Sequence, residues 1–200
     1  MPVSATIQKS HALGGKSFAE AVTVTADAQL VREVSVNIAY TGTVTTQTST
    51  SAGTLTLANG HNITTGSRFD YYSAAGLTYG CTAGTVSGTS VPFTTGAGVS
   101  TPVTSTVVTA CLALAQTFVV VGNKIVTLML STPNNGAFVF TDGSNVYQFR
   151  KELQANTAWE WHAGAGDANP ASGLTTGKVW LSHDNTTSSQ IMRLGVLYNE

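Results

Sequence analysis

The segment from Gly53 to Phe93, GTLTLANGHNITTGSRFDYYSAAGLTYGCTAGTVSGTSVPF, constrains the fold more than any other part of the chain. It is a series of short apolar or aromatic runs broken by glycine. Turn signals recur within about a dozen residues, which suits antiparallel hairpins and leaves no room for crossover helices. Thr54 to Leu57 alternates polar and apolar residues, Asn59-Gly60 is a two-residue turn signal, and Arg68 to Ser73 is aromatic-rich. Leu77 to Val86 and Thr89 to Phe93 flank a tight turn at Ser87-Gly88, where a positive φ is expected of Gly88. The reading is a compact barrel, Greek-key or SH3-like.

Two passages poor in large side chains bracket this module: Thr41 to Ala52, TGTVTTQTSTSA, and Thr94 to Thr106, TTGAGVSTPVTST. Read as linkers or extended crossings, they mark an insertion, because insertions enter and leave a host at exposed loops. The expected organisation is an N-terminal arm at 1–19, a host domain made of 20–46 and 112–200, and an inserted barrel at 53–110. Within the host, Ala21 to Ala26 alternates, and Val31, Val34, Val36 and Ile38 lead to Tyr40. After the module, Phe118 to Val121, Ile125 to Leu130, Ala137 to Thr141, Val146 to Arg150, Lys178 to Ser182 and Ser189 to Tyr198 are β-favouring runs. Asp142-Gly143-Ser144-Asn145 reads as a hairpin turn. The expected fold class is all-β, a jelly-roll-like β-sandwich with an inserted small barrel.

Charge narrows the function classes. Only 10% of residues are charged and the formal net charge is −1, against roughly 25% charged in average soluble proteins, so colloidal repulsion is weak and association is favoured. Between Val34 and Asn123 the only formal charges are Arg68 and Asp70. Nine Lys and Arg residues spread over the whole length form no basic stripe, so direct nucleic-acid binding is not expected. The first residues contain no uninterrupted apolar core of a signal peptide, and no stretch approaches the roughly 20 apolar residues of a membrane helix. The expectation is a protein made in a cytoplasm, with no membrane contact and no cofactor.

Residues that might carry chemistry are few. His61 in NGHNITTG has no flanking acid and reads as a turn residue capping backbone. His162 follows Glu160 by two residues, on one strand face, a spacing that orients an imidazole; His183-Asp184 is a sequential pair at a strand end. Asp142 and Asp167 lie in Asx-rich loops without the spacing of a calcium loop, and Cys81 and Cys111 lack metal-ligand spacing, so no metal site is expected. Buried free thiols are the first reading of the two cysteines, with a disulfide between them as the alternative. Trp159, Trp161 and Tyr147 are the candidates for an interface or a glycan contact. The two tryptophans share a strand face suited to stacking on a sugar, although tryptophan in a sandwich strand is more commonly core or interface.

The run TLTLANGHNITTG, the aromatic strand RFDYY and the hairpin TAGTVSGTSVP together resemble a module of tailed-bacteriophage and prophage structural proteins. FVVVGNKIVTLML and AWEWHAGAGDANP resemble the framing segments more loosely. The resemblance implies a non-enzymatic virion component, a head decoration (cement) or minor capsid protein, with a tail or collar component as the near alternative. Its implied partners are the major capsid or tail protein and further copies of itself, with a trimer implied by analogy. A carbohydrate-binding receptor module using Trp159, Trp161 and Tyr147 is the competing class, and a hydrolase using His162 and Glu160 a third.

Overall fold

The computed structural model describes residues 3–13, 16–26, 28–118, 124–142, 147–163, 168–174 and 177–199, the backbone alone for 3–30 and 118. The described residues form sixteen β-strands and no α-helix. They are β1 (Val3–Leu13), β2 (Lys16–Ala26), β3 (Ala28–Val36), β4 (Tyr40–Ser49), β5 (Ala52–Leu57), β6 (Arg68–Ser73), β7 (Gly76–Ala83) and β8 (Ser90–Thr94). The second half adds β9 (Val107–Leu112), β10 (Leu114–Phe118), β11 (Ile125–Thr132), β12 (Gly136–Asp142), β13 (Tyr147–Leu153), β14 (Thr157–His162), β15 (Gly177–His183) and β16 (Gln190–Tyr198).

Six strands close into an antiparallel barrel in the order β4-β5-β8-β7-β6-β9. Period-two alternation builds its core. Leu55 and Leu57, Phe69 and Tyr71, Val91 and Phe93, and Val108 and Ala110 all point inward and are buried. Phe93 packs edge-on to Phe69 at 6.0 Å and to Tyr71 at 5.5 Å between ring centroids, the arrangement that aromatic quadrupoles favour.

The passage 41–52, read from sequence as a linker or an extended crossing strand, is mostly barrel wall: β4 pairs with β5 on one side and β9 on the other. It escapes a search for alternating large residues because Val44 alone among its large side chains faces the core. The barrel strands therefore begin at Tyr40 and end at Leu112, and removing 53–110 would leave β4 without either neighbour. Asn59-Gly60 does not join two adjacent strands. It lies in a loop, 58–67, that leads from β5 to β6, and these strands are not neighbours in the barrel.

Of the ten remaining strands, β1 and β2 pair with each other and the other eight form two four-stranded sheets, β10-β15-β12-β13 and β14-β11-β16-β3. Counted along the chain, the eight sandwich strands pair first with eighth, second with seventh, third with sixth and fourth with fifth. This is a nested set of antiparallel pairs, and the barrel sits between the first and the second. Phe138, Phe140, Val179 and Leu181 from one sheet meet Leu128, Leu130, Met192 and Leu194 from the other in a single buried core. Ala21 to Ala26, expected in the host sheets, instead belongs to β2 and pairs with β1. Of the N-terminal segments only β3 joins the sandwich, against β16.

The hairpin between β7 and β8 turns at Gly88-Thr89, with Ser87 and Ser90 exchanging both backbone hydrogen bonds at 2.9 and 3.0 Å. Gly88 has φ +56 while Thr89 is not at positive φ, the pattern of a type II′ turn. Nothing lies within 4 Å of a Cβ built there, so the cost of a side chain is purely conformational. Gly88→Val is expected to destabilise by about 1 kcal/mol or more, read as a melting temperature roughly 2–4 °C lower. An unchanged melting temperature would remove the turn assignment.

Candidate functional site: a buried polar seam

The period-two rule that sends Phe69 and Tyr71 into the barrel core turns Arg68, Asp70 and Tyr72 outward from β6. They meet the outer face of the β10-β15-β12-β13 sheet. On that sheet Ala137, Val139 and Thr141 alternate with the core residues Phe138 and Phe140, and all three are fully buried without belonging to either core. Trp180 and Ser182 alternate likewise with Val179 and Leu181.

Asp70 is fully buried in this seam. Its Oδ1 accepts from the Gly80 backbone N–H at 2.8 Å, and its Oδ2 accepts from the Ser182 hydroxyl at 2.6 Å. Because that hydroxyl proton is committed to the carboxylate, the Ser182 oxygen is left to accept from Tyr72 Oη at 3.0 Å. The result is a directed chain, Tyr72 to Ser182 to Asp70, joining barrel and sandwich. Arg68 stacks its guanidinium over Trp180, with 4.6 Å from Cζ to the ring centroid, while Trp180 Nε1 donates to Thr141 Oγ1 at 3.1 Å. At the seam's rim Arg150 lies over Tyr79 at 4.5 Å and pairs with Glu152 at 3.0 Å, and Tyr79 meets Tyr147 at 5.5 Å.

Burial disfavours charge throughout the seam. It pushes the Asp70 carboxyl above its ordinary range, opposed by the hydrogen bonds from Ser182 and Gly80 and by Arg68 and Arg150. The Tyr72 phenol is pushed well up, by burial first and by Asp70 next. Arg68 is lowered by burial, with Asp70 opposing. A carboxylate closed off from solvent offers a substrate no approach, so the seam's chemistry is adhesion: it holds two β units in one relative position.

The sequence candidates do not assemble into one site. Trp161 is 6% exposed and part of the sandwich core. Removing it would report on packing rather than on a ligand. Trp159 is half-buried against Phe149 at 5.8 Å and is capped by Lys151 at 5.0 Å. Tyr147 is exposed and engages Tyr79 of the barrel. His61 caps backbone, its Nε2 lying 2.9 Å from the Gly88 carbonyl. His162 is buried with neither ring nitrogen bonded, while Glu160 is exposed, so the carboxylate does not orient the imidazole.

His183 is fully buried. Asn185 N–H donates to its Nδ1 at 3.1 Å, so its Nε2 carries the proton and donates to the Val36 carbonyl at 3.1 Å. Asp184 instead accepts from Asn135 at 2.7 Å. Cys81 and Cys111 are free and buried, in the barrel and sandwich cores respectively. Burial pushes the Cys81 thiol well up and Cys111 up to about 12, which leaves both unreactive. Asp142 ends β12, whereas Asp167 and the Gly143 to Asn145 part of the turn lie outside the described residues.

The seam's signal in the sequence is an opposite-charge pair two residues apart in a ninety-residue stretch otherwise without charge, a pattern that marks Arg68 and Asp70 but not their partners across the seam. No family model, no curated protein and no solved structure matches the chain.

Proposed function

We propose that this chain is a non-enzymatic structural component of a bacteriophage particle, a capsid decoration or minor capsid protein, made in the host cytoplasm and carried in the virion. The observation that supports this most is the nested pairing of the eight sandwich strands, first with eighth through fourth with fifth. That pairing is how a jelly roll is wound, an architecture used by viral capsid domains among others. Such a likeness of strand pairing is an analogy, and the resemblance of the barrel segment to phage structural modules gives it direction. The seam supports the same reading, since two β units locked by buried hydrogen bonds make a stiff block of the kind a lattice needs. A neutral, hydroxyl-rich surface favours self-association into a homo-oligomer, with a trimer as the first expectation, and contact with the major capsid or tail protein.

The test is mass spectrometry of purified particles combined with image reconstruction. Density for the barrel and sandwich at regular positions on the head is the expected result. Density confined to the tail would move the protein there, and absence from washed particles would overturn the virion reading.

A further inference from the structure

Where the barrel meets the sandwich, two recesses flank the turn between β6 and β7. One, of about 510 Å³, lies between β7, the 98–102 segment of the barrel and Arg150 of β13. The other, of about 420 Å³, lies between the same turn and Asn135, Glu152 and Asp184 of the sandwich. Ser73, Gly76 and Leu77 line both. From the sandwich side the Arg150–Glu152 pair, 3.0 Å from Nε to Oε1, joins the one recess to the other. Both volumes fall in the range of ligand pockets, and a junction between two folded units is where such pockets concentrate.

The walls are fixed by the protein's own bonds. Gly80, at φ +69, lets the segment after β8 settle on β7: Gly96 N–H donates to the Tyr79 carbonyl at 3.3 Å, and a Cβ on Gly80 would lie 3.3 Å from Gly96 Cα. Thr95 Oγ1 donates to the Val99 carbonyl at 2.6 Å, and Thr101 donates from its N–H to the Thr50 carbonyl at 2.8 Å and from Oγ1 to the Ser49 carbonyl at 3.0 Å. Opposite, the Arg150 guanidinium is held by Glu152 and by the Tyr79 ring, 4.5 Å from Cζ to the centroid. Asn135 is held at both ends of its amide, donating to Asp184 at 2.7 Å and accepting from Ala155 N–H at 3.2 Å. Polar groups set in advance lose little freedom when a ligand arrives.

The chemistry of the lining selects the class of ligand. Among the described residues, one positive group, Arg150, stands against two negative ones, Glu152 and Asp184, so the cleft offers an anion no net attraction. An apolar ligand would strip water from guanidinium, carboxylate and amide without replacing its hydrogen bonds. An uncharged molecule rich in hydroxyls meets both demands, because each hydroxyl donates and accepts. The Arg150 and Glu152 side chains are 32% and 45% exposed, and with Nε turned to Glu152 the rest of the guanidinium fork is left for Tyr79 and a ligand. Ser100 adds an exposed hydroxyl on the barrel side. At the rim Tyr147, 43% exposed, stands 5.5 Å from Tyr79, and tyrosine rings present an apolar face with a polar tip, as a sugar ring requires.

We propose that this junction cleft binds an uncharged saccharide, with its hydroxyls on Arg150, Glu152 and Ser100 and with Tyr147 at the rim. This binding function is additional to the particle role and does not rest on it. The test is the full chain on an array of uncharged and acidic oligosaccharides, followed by titration calorimetry with the strongest uncharged ligand. Ser100→Trp, which adds bulk at an exposed lining position, and Arg150→Ala should each weaken binding roughly 10-fold or more, with circular dichroism confirming that both are folded. Arg150→Lys should weaken it too, because it keeps the charge and loses the planar fork. Binding retained in both Ser100→Trp and Arg150→Ala, binding lost only in Trp159→Ala, a signal confined to acidic sugars, or no signal on the array would each overturn the proposal and leave the particle reading standing.

Discussion

Asp70→Ala is expected to lower stability by about 3 kcal/mol, since it leaves two buried donors without acceptors at roughly 1–3 kcal/mol each, less what is regained by removing a buried charge. The donors are Gly80 N–H and the Ser182 hydroxyl, which now reach Asp70 at 2.8 and 2.6 Å. For a chain of this size the loss corresponds to a melting temperature roughly 6–12 °C lower. Asp70→Asn should cost less, about 1 kcal/mol, because the amide oxygen still accepts and no charge is buried.

The two substitutions also separate by pH. Burial raises the Asp70 pKa above its ordinary 3.8, so over the interval between the two values the native state holds a proton that the unfolded chain has released. Stability through this group therefore falls as pH rises through the folded-state pKa, and the penalty vanishes below the unfolded value. Relative to Asp70→Asn, the wild type should gain stability as pH is lowered from neutrality toward 3.8, measured by denaturant unfolding at several pH values. A wild-type advantage that shrinks on acidification would show that the carboxylate is stabilised in place, contrary to the burial argument.

Gly42→Ala is the second large expected effect. Gly42 lies on β4 where the strand is paired on both sides, opposite Leu57 of β5 and Val108 of β9. A Cβ there would run into the Thr56 carbonyl oxygen and come within 2.7 Å of Leu57 Cδ2 and 3.0 Å of Leu57 Cα. Two of these obstacles are backbone held in the ladder, so neither a rotamer change nor a small shift relieves them. The expected cost is about 3 kcal/mol, at the upper end for overpacking. Hydrogen exchange locates it: barrel amides of β4, β5 and β9 should lose protection while β11, β12 and β16 keep theirs. Uniform loss of protection would mean that barrel and sandwich unfold as one unit, and no loss would mean that β4 bends more freely than its pairing suggests.

What the sequence determined by itself was local. Alternation at Thr54 to Leu57 and the β-favouring runs at Ile125 to Leu130 and Ser189 to Tyr198 specify strands, because these are preferences of the residues themselves whatever the strand later pairs with. Glycine at position 88 specifies a turn because its φ is a property of one residue. The all-β class follows from many such short signals. What the tertiary structure decided was partnership. β4 carries one large core residue, Val44, and becomes a strand mainly through the hydrogen bonds offered by β5 and β9 when the barrel closes. Trp161 was a candidate for surface stacking until the second sheet covered it. Asp70 and Ser182 stand 112 positions apart, and nothing in either neighbourhood marks them as partners. Alternation tells which residues leave β6 on its outer side, but only the packing of the barrel on the β10-β15-β12-β13 sheet turns that outer side into a buried one, where a carboxylate must find hydrogen-bond donors.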